Sequence, residues 1–357
     1  MVTSIHDDLL APEVIANPYP YLAQLREADP VHWNELHETW IITRYDDFLW
    51  VTRQPELFSS EVAKRSPAPN PSGGAAERKL HEQAREVQSN NMAQRDRDEH
   101  MAMRKVVNAF FAPKALEGWR PRIQTIIAEL LDRIQEQGDI EMEVLRDVAM
   151  PLDIQVISEM MGFPEADQAE LSQLADQLCA LNRGEPDRMR VFMEGVAAFK
   201  TYLSPFVEDR LAHPGEDLLS LLVSGEQDGV YTRDQVLANA SVMLIAGQET
   251  TANLIGNSLL AFLQHPEQWQ RFQQDQSSTA VARAVNECLR YDAPQKSIQR
   301  IAAEDVELRG KPIRQGDRVR CFISSANRDP EMFEAPDTFD INRNPNRHVA
   351  FGYGSHY

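Results

Sequence analysis

Cysteine is scarce. The three present, Cys179, Cys288 and Cys321, are too few and too scattered for a disulfide framework or a CxxC metal site. A reducing, cytoplasmic setting is the simplest reading of that scarcity. No apolar run reaches the length of a membrane span. The polar, acidic start from Met1 to Leu10 has no basic region followed by an apolar core, so no signal peptide is read there. Positive charge is short as well. Lys and Arg number 36 against 55 Asp and Glu, a net charge of −19, which argues against a general nucleic-acid binder while leaving room for a local basic patch that meets an acidic partner. Internal repeats are absent. What remains is ordinary globular composition, 42% hydrophobic and 25% charged, in 357 residues, enough for a large core enclosing a cofactor. Length alone suggests roughly two domains or one large helical one.

The first part mixes short elements. Pro18 and Pro20 open a short helix ending near Glu27, Val31–Trp33 and Thr39–Thr43 read as strands around a polar turn, and Asp46 caps another helix. Ser66–Ala76 reads as a loop, because its prolines and glycines break both helix and ladder, and the polar stretch runs on to about Glu99 as a candidate lid or binding loop. From His100 to Pro266 the apolar spacing is helical, with breaks at Pro113, Pro151, Pro164, Pro205 and Pro214. After Pro294, Val306–Leu308, Pro312–Ile313 and Val319–Ile323 read as strands with Gly310 and Gly316 at turns, and Asp329–Tyr357 as ordered irregular chain. Helix dominates, with a small sheet assembled from both ends of the chain.

Thr232 to Gln235 (TRDQ) fits a capping box, and helical spacing then runs to Gln264, where Pro266 stops it. At about 1.5 Å per residue such a helix crosses a whole domain. Its middle reads Ala246-Gly247-Gln248-Glu249-Thr250-Thr251. A mid-helix glycine costs about 1 kcal/mol relative to alanine, and the Thr250 hydroxyl can take the Ala246 carbonyl four residues back and bend the helix. Small residues here serve either close helix packing or the approach of a flat ligand.

Further along, Glu287 and Arg290 lie three apart on one helical face in AVNECLRYDAP. Such a pair is either a surface ion pair of little worth or a buried one. His100 and Arg104 share a face at spacing four in DEHMAMRKVV, Arg300 follows in SIQRIAAEDVEL, Arg343 stands in FDINRNPNR, and the chain ends FGYGSHY from Phe351 to Tyr357. Taken singly, the cations read as solvated charges and the Gly-Tyr-Gly as a turn.

Together and in this order, these motifs resemble the cytochrome P-450 (P450) family, the soluble bacterial-type haem-thiolate monooxygenases, over nearly the whole chain. The resemblance implies a mainly α fold, a triangular helical domain with a small β-sheet region, read as a single domain over residues 1–357. It implies haem b as cofactor, with Ala246 and Gly247 facing it and Glu249 and Thr250 as the acid–alcohol pair that delivers protons to dioxygen. It implies that His100, Arg104, Arg300 and His356 face the haem propionates, and that Phe351 and Gly352 belong to the loop beside the cofactor. Glu287 and Arg290 match the family's ExxR pair, joined by Arg343 in a buried charge network. Substrate contacts are expected from Ser59–Glu99, Leu171–Lys200, Met243–Thr251 and the residues just after Pro294. The implied partners are a small apolar substrate, dioxygen and a ferredoxin with its ferredoxin reductase, or a similar electron donor, with no nucleic acid and no membrane.

Phe351-Gly352-Tyr353-Gly354-Ser355-His356-Tyr357 matches the family's FGxGxHxCxG loop up to the residue before cysteine. The resemblance therefore places the metal-ligating cysteine just beyond Tyr357, then a glycine and an alanine-rich helix, and reads the chain as C-terminally incomplete. Three readings follow: an incomplete monooxygenase that hydroxylates or epoxidises its substrate, a haem-less helper protein that binds and stabilises a glycosyltransferase, or a ligand-binding remnant. The intact Glu249–Thr250 pair and propionate cations favour the first, although this exact chain is expected to be inactive without its thiolate ligand.

Overall fold

The computed structural model describes residues 7–66, 74–136, 138, 141–182 and 186–357. In chain order, α1 (Pro12–Ala16), α2 (Tyr19–Ala28), β1 (Val31–Asn34), β2 (Thr39–Ile42), α3 (Tyr45–Thr52), β3 (Phe58–Ser59) and α4 (Val62–Arg65) come first. Nine further helices follow: α5 (Gly74–Ser89), α6 (Arg97–Asn108), α7 (Pro113–Glu117), α8 (Arg120–Glu136), α9 (Met150–Met161), α10 (Gln168–Leu178), α11 (Arg188–Ala212), α12 (Leu218–Gln227) and α13 (Arg233–Gln264). The chain continues through α14 (Pro266–Gln274), α15 (Ser278–Tyr291), β4 (Ser297–Ala302), β5 (Val306–Leu308), β6 (Lys311–Ile313), β7 (Arg318–Phe322) and α16 (Ile323–Ala326). The mainly helical class with a small sheet is as the sequence implied.

Two compact units emerge, Met1–Pro67 with Leu254–Tyr357, and Ala68–Asn253. The first holds a five-stranded sheet in the order β1-β2-β7-β4-β3 and the β5-β6 hairpin. Within the sheet only β2 and β7 run parallel, with Ile41 opposite Arg320; β4 meets β7 antiparallel, with Gln299 opposite Arg320. Ile41 and Phe322 on one face are covered by Leu22 and Leu25 of α2, while Trp40, Val319 and Cys321 on the other join a core with Phe48, Val51 and Leu289. Alternation at period two sends neighbouring strand residues to opposite cores.

Among its described residues the second unit has helices and no strand. α11 packs on α5, α10 and α12, and its Phe192, Val196, Phe199, Leu203 and Val207 lie in one core with Leu171, Leu174 and Leu244. The capping box at the start of α13 is formed in both directions: Gln235 N–H donates to Thr232 Oγ1 at 3.3 Å, and Thr232 N–H to Gln235 Oε1 at 2.8 Å.

Three local expectations need correction. The polar stretch up to Glu99 is not a loop throughout: α5 occupies Gly74–Ser89, because AAERKLHEQAREVQ is built of strong helix formers. Most of the expected loop, residues 67–73, lies outside the described residues, as do residues 1–6 of the polar amino terminus. Neither Pro205 nor Pro151 breaks its helix: Pro205 sits inside the 25-residue α11, whose buried face outweighs the one lost N–H, and Pro151 lies in a helical run continuous from Leu145. Asp46 is not the cap of α3; the helix starts at Tyr45, whose amide donates to Asp329 Oδ2 at 2.8 Å.

Candidate active site

The middle of α13 presents two edges. Ala246 and Thr250, one turn apart, lie on an exposed edge, and the Thr250 hydroxyl donates to the Ala246 carbonyl at 2.8 Å. Glu249 beside them is half-exposed. Gly247 points elsewhere. A Cβ there would stand 2.9 Å from Cβ and Cγ1 of Ile157 on α9, so the missing side chain is what lets the two helices approach. Close packing thus accounts for this glycine in its own unit. The Ala246–Thr250 edge is small and uncovered.

A cavity of about 450 Å³ opens within this unit, walled by Phe111, Ile123, Leu152, Met160, Met243 and Gly247. One charged residue faces it, Asp153 on α9, only 5% exposed. Burial pushes its carboxyl up to about 7, against a hydrogen bond from the Ala252 backbone on α13 that pulls the other way. Among the described residues its Oδ2 has no hydrogen-bond partner. Sequence reasoning missed this residue, although a lone carboxylate in the apolar run Met150-Pro151-Leu152-Asp153-Ile154 was the available signal.

On α6, His100 is buried and Arg104 half-buried, four residues apart on one face. His100 Nδ1 lies 2.9 Å from the Met92 carbonyl. A carbonyl only accepts, so Nδ1 carries the proton, and Nε2 can donate only when the ring is an imidazolium.

In the other unit, Arg300 on β4 is buried, its Nη1 donating to the Gln299 carbonyl at 2.8 Å. The terminal segment is held to the end of α3: Arg53 stacks over the Tyr353 ring, 4.7 Å from its centroid, and donates to its hydroxyl at 2.9 Å. Gly354 has φ +84°, and a Cβ there would run into the Thr52 carbonyl, so both the backbone and the contact demand glycine. Phe351 is 62% exposed, Gly352 is buried with φ +79°, and His356 is half-buried.

α15 carries a saturated charge network. Glu287 and Arg290 are fully buried and paired twice at 2.8 Å. Arg290 spends its remaining donors on the carbonyls of Asn327, Pro336 and Thr338. Arg343 joins the same carboxylate at 3.2 Å and also ties the carbonyls of Glu334, Ala335 and Thr338. The Asp340 amide and the Asn346 side chain complete the shell of Glu287 at 2.9 and 3.1 Å. The irregular chain from Asn327 to Asn346 is thereby pinned to one helix.

The three cysteines are buried, each as a thiol outside any disulfide. Burial pushes the Cys288 thiol up to about 11 and the Cys321 thiol up to about 12, so neither offers a thiolate near neutral pH. Among the described residues no cluster of three or more His, Cys, Asp or Glu could hold a metal ion, and no helix is long and apolar enough to cross a membrane.

Comparison with known proteins agrees with this arrangement of elements and motifs. The family model for Cytochrome P450 matches residues 169–357. The biotin biosynthesis cytochrome P450 of Bacillus subtilis is 32% identical over 348 residues, covering 96% of this chain and 84% of that protein. The cytochrome P450 monooxygenase PikC of Streptomyces venezuelae is 34% identical, over 98% of this chain and 80% of its own. Among solved structures, P450BioI in complex with hexadec-9Z-enoic acid ligated acyl carrier protein superposes with a TM-score of 0.84 at 31% identity, covering 97% of this chain and 87% of that one. CalO2 gives 0.86 at 29%, with 98% and 85% covered. The fold and the relatives define a class of bacterial oxygenases. The chain belongs to the cytochrome P450 family, whose members include biosynthetic enzymes and hydroxylases, and whose cofactor is haem b.

Proposed function

We propose that the protein is a cytoplasmic, haem-dependent monooxygenase that hydroxylates or epoxidises a small apolar organic substrate, using dioxygen and two electrons from a ferredoxin and its reductase or a similar donor. Residues 1–357 are read as one domain of that family. Bound haem would supply the oxygen activation, which no protein side chain performs alone.

The observation that carries this reading is the Ala246–Thr250 edge of α13. Two small side chains one turn apart leave room for a flat cofactor, and the hydroxyl between them is already oriented. Because Thr250 donates its proton to the Ala246 carbonyl, its oxygen lone pairs face outward and can accept from water. Glu249 stands half-exposed next to it. The pair is assigned to passing protons inward. His100, Arg104, Arg300 and His356 are assigned to the propionates. A guanidinium fork matches a carboxylate in two bonds. Phe351 and Gly352 belong to the loop on the cofactor side. Glu287, Arg290 and Arg343 act structurally, fixing the irregular segment before that loop. The helper-protein reading is not favoured, since a protein that only stabilises a partner has no use for an oriented hydroxyl beside an exposed acid.

The test uses the haem-loaded protein, an electron donor and a panel of apolar substrates under isotopically labelled dioxygen. One labelled oxygen atom per product molecule is expected. Oxygenated product carrying no label would overturn the reading.

A further inference from the structure

Asparagine is a poor helix former, because its amide competes with the backbone. Asn239 nevertheless sits inside α13 with no exposed surface. A buried amide is tolerated only where its hydrogen bonds are made. Its Nδ2 donates to the Gln235 carbonyl one turn back at 2.7 Å, which turns Oδ1 away from its own helix. That oxygen accepts the Met92 N–H at 2.9 Å, and the Met92 carbonyl in turn accepts from His100 Nδ1 at 2.9 Å. Met92 opens a short turn, Met92–Gln94, between α5 and α6. Asn91 braces that turn: its Oδ1 accepts the Gln94 amide at 3.2 Å, and its Nδ2 donates to the Gln88 carbonyl in the last turn of α5 at 2.7 Å. The connector is thus held by three helices, α5, α6 and α13. Asn239 shares its face of α13 with Met243, Ala246 and Thr250, at successive spacings of four, three and four. All these residues belong to one compact unit.

We propose that Asn239 is a positioning residue for His100: by fixing the Met92 backbone it sets which ring nitrogen carries the proton. With the Met92 carbonyl held against the ring, the neutral imidazole keeps its proton on Nδ1, and a second proton comes and goes at Nε2. Without the Asn239 bond, the Met92 backbone is free to turn and the two tautomers mix. One side chain therefore ties the face of α13 that carries Ala246 and Thr250 to the histidine on α6. The inference deepens the monooxygenase reading by adding the residue behind a propionate-facing histidine, and rests on that reading only for giving His100 to the haem.

The test is nitrogen NMR of isotope-labelled histidine rings in the full chain at alkaline pH, with His100→Gln identifying the His100 signals. Asn239→Leu fills the space without the bond. Asn239→Ser can still bond the Gln235 carbonyl but falls short of Met92. Asn239→Asp keeps an acceptor for the Met92 N–H. The parent and Asn239→Asp should show His100 protonated on Nδ1. Asn239→Leu and Asn239→Ser should show both tautomers, together with faster hydrogen exchange at the Met92 amide. In titrations with haemin those two should bind roughly tenfold weaker than the parent, as the loss of one well-placed hydrogen bond implies. Retention of the Nδ1 proton in both broken variants, a Met92 amide that exchanges no faster in them, or loss of the parental tautomer in Asn239→Asp would each overturn the proposal. A lower melting temperature with an unchanged tautomer would do the same, since it marks a purely structural asparagine. Mixed tautomers with parental haemin affinity would sink the assignment of His100 to the haem alone and leave the positioning by Asn239 standing.

Discussion

Two buried carboxyl groups in this protein live under opposite rules. Glu287 on α15 is fully buried and receives both arginines, a backbone amide and an asparagine side chain. Asp153 on α9 is almost as buried, yet among the described residues only the Ala252 backbone bonds to it and Oδ2 has no partner. A satisfied carboxylate acts as a fixed joint. An under-satisfied one responds to pH. The first pins irregular chain; the second stands against the part of α13 that carries the proposed proton path.

The largest effect should come from breaking the saturated side. Arg290→Ala strands Glu287 with one guanidinium and frees three carbonyls, which should cost about 3–5 kcal/mol and leave little soluble, folded protein. Recovery of the variant with a parental melting curve would show that the network does not hold the segment.

The next effect belongs to Asp153, and its sign follows from linkage. The folded value is about 7 against an ordinary 3.8, so between those values the folded protein binds more protons than the unfolded chain. Its contribution is therefore fully present below about pH 4 and is lost as pH rises towards 7. Asp153→Asn should gain on the parent by roughly 2–4 kcal/mol across that window and stay level above it. Urea unfolding at several pH values measures the gap; a gap that does not change with pH contradicts the assignment.

A smaller effect sharpens the contrast within α13 itself. Gly247→Ala gains helix propensity of about 1 kcal/mol but pushes Cβ into Ile157, so a net loss of about 1 kcal/mol is expected. Ile157→Ala in the same chain should turn that loss into a gain. An additive pair of substitutions would mean the helices are not in contact there.

Much of this contrast was legible before any coordinates. The Thr232–Gln235 capping box and Pro266 bracketed α13, and β1, β2 and β5 to β7 lay where alternation and turn glycines put them. Glu287 and Arg290 were visible as a spaced pair, but spacing is silent about burial, and the shell around them comes from chain some 40 to 60 residues further on. α5 was hidden because polarity was read ahead of helix propensity. Asp153 was hidden because one acid in an apolar run looks incidental until a cavity is seen beside it. The reason for Gly247 is a neighbour ninety residues earlier, Ile157, which no local pattern reveals.

The most direct test of the account is Thr250→Ala in the haem-loaded protein, with product formed per reduced cofactor consumed and peroxide measured together. The account predicts unchanged folding and haem content, several-fold less product per reducing equivalent and a matching rise in peroxide. Unchanged coupling would contradict it, because the oriented hydroxyl on the exposed edge of α13 would then have no part in the chemistry.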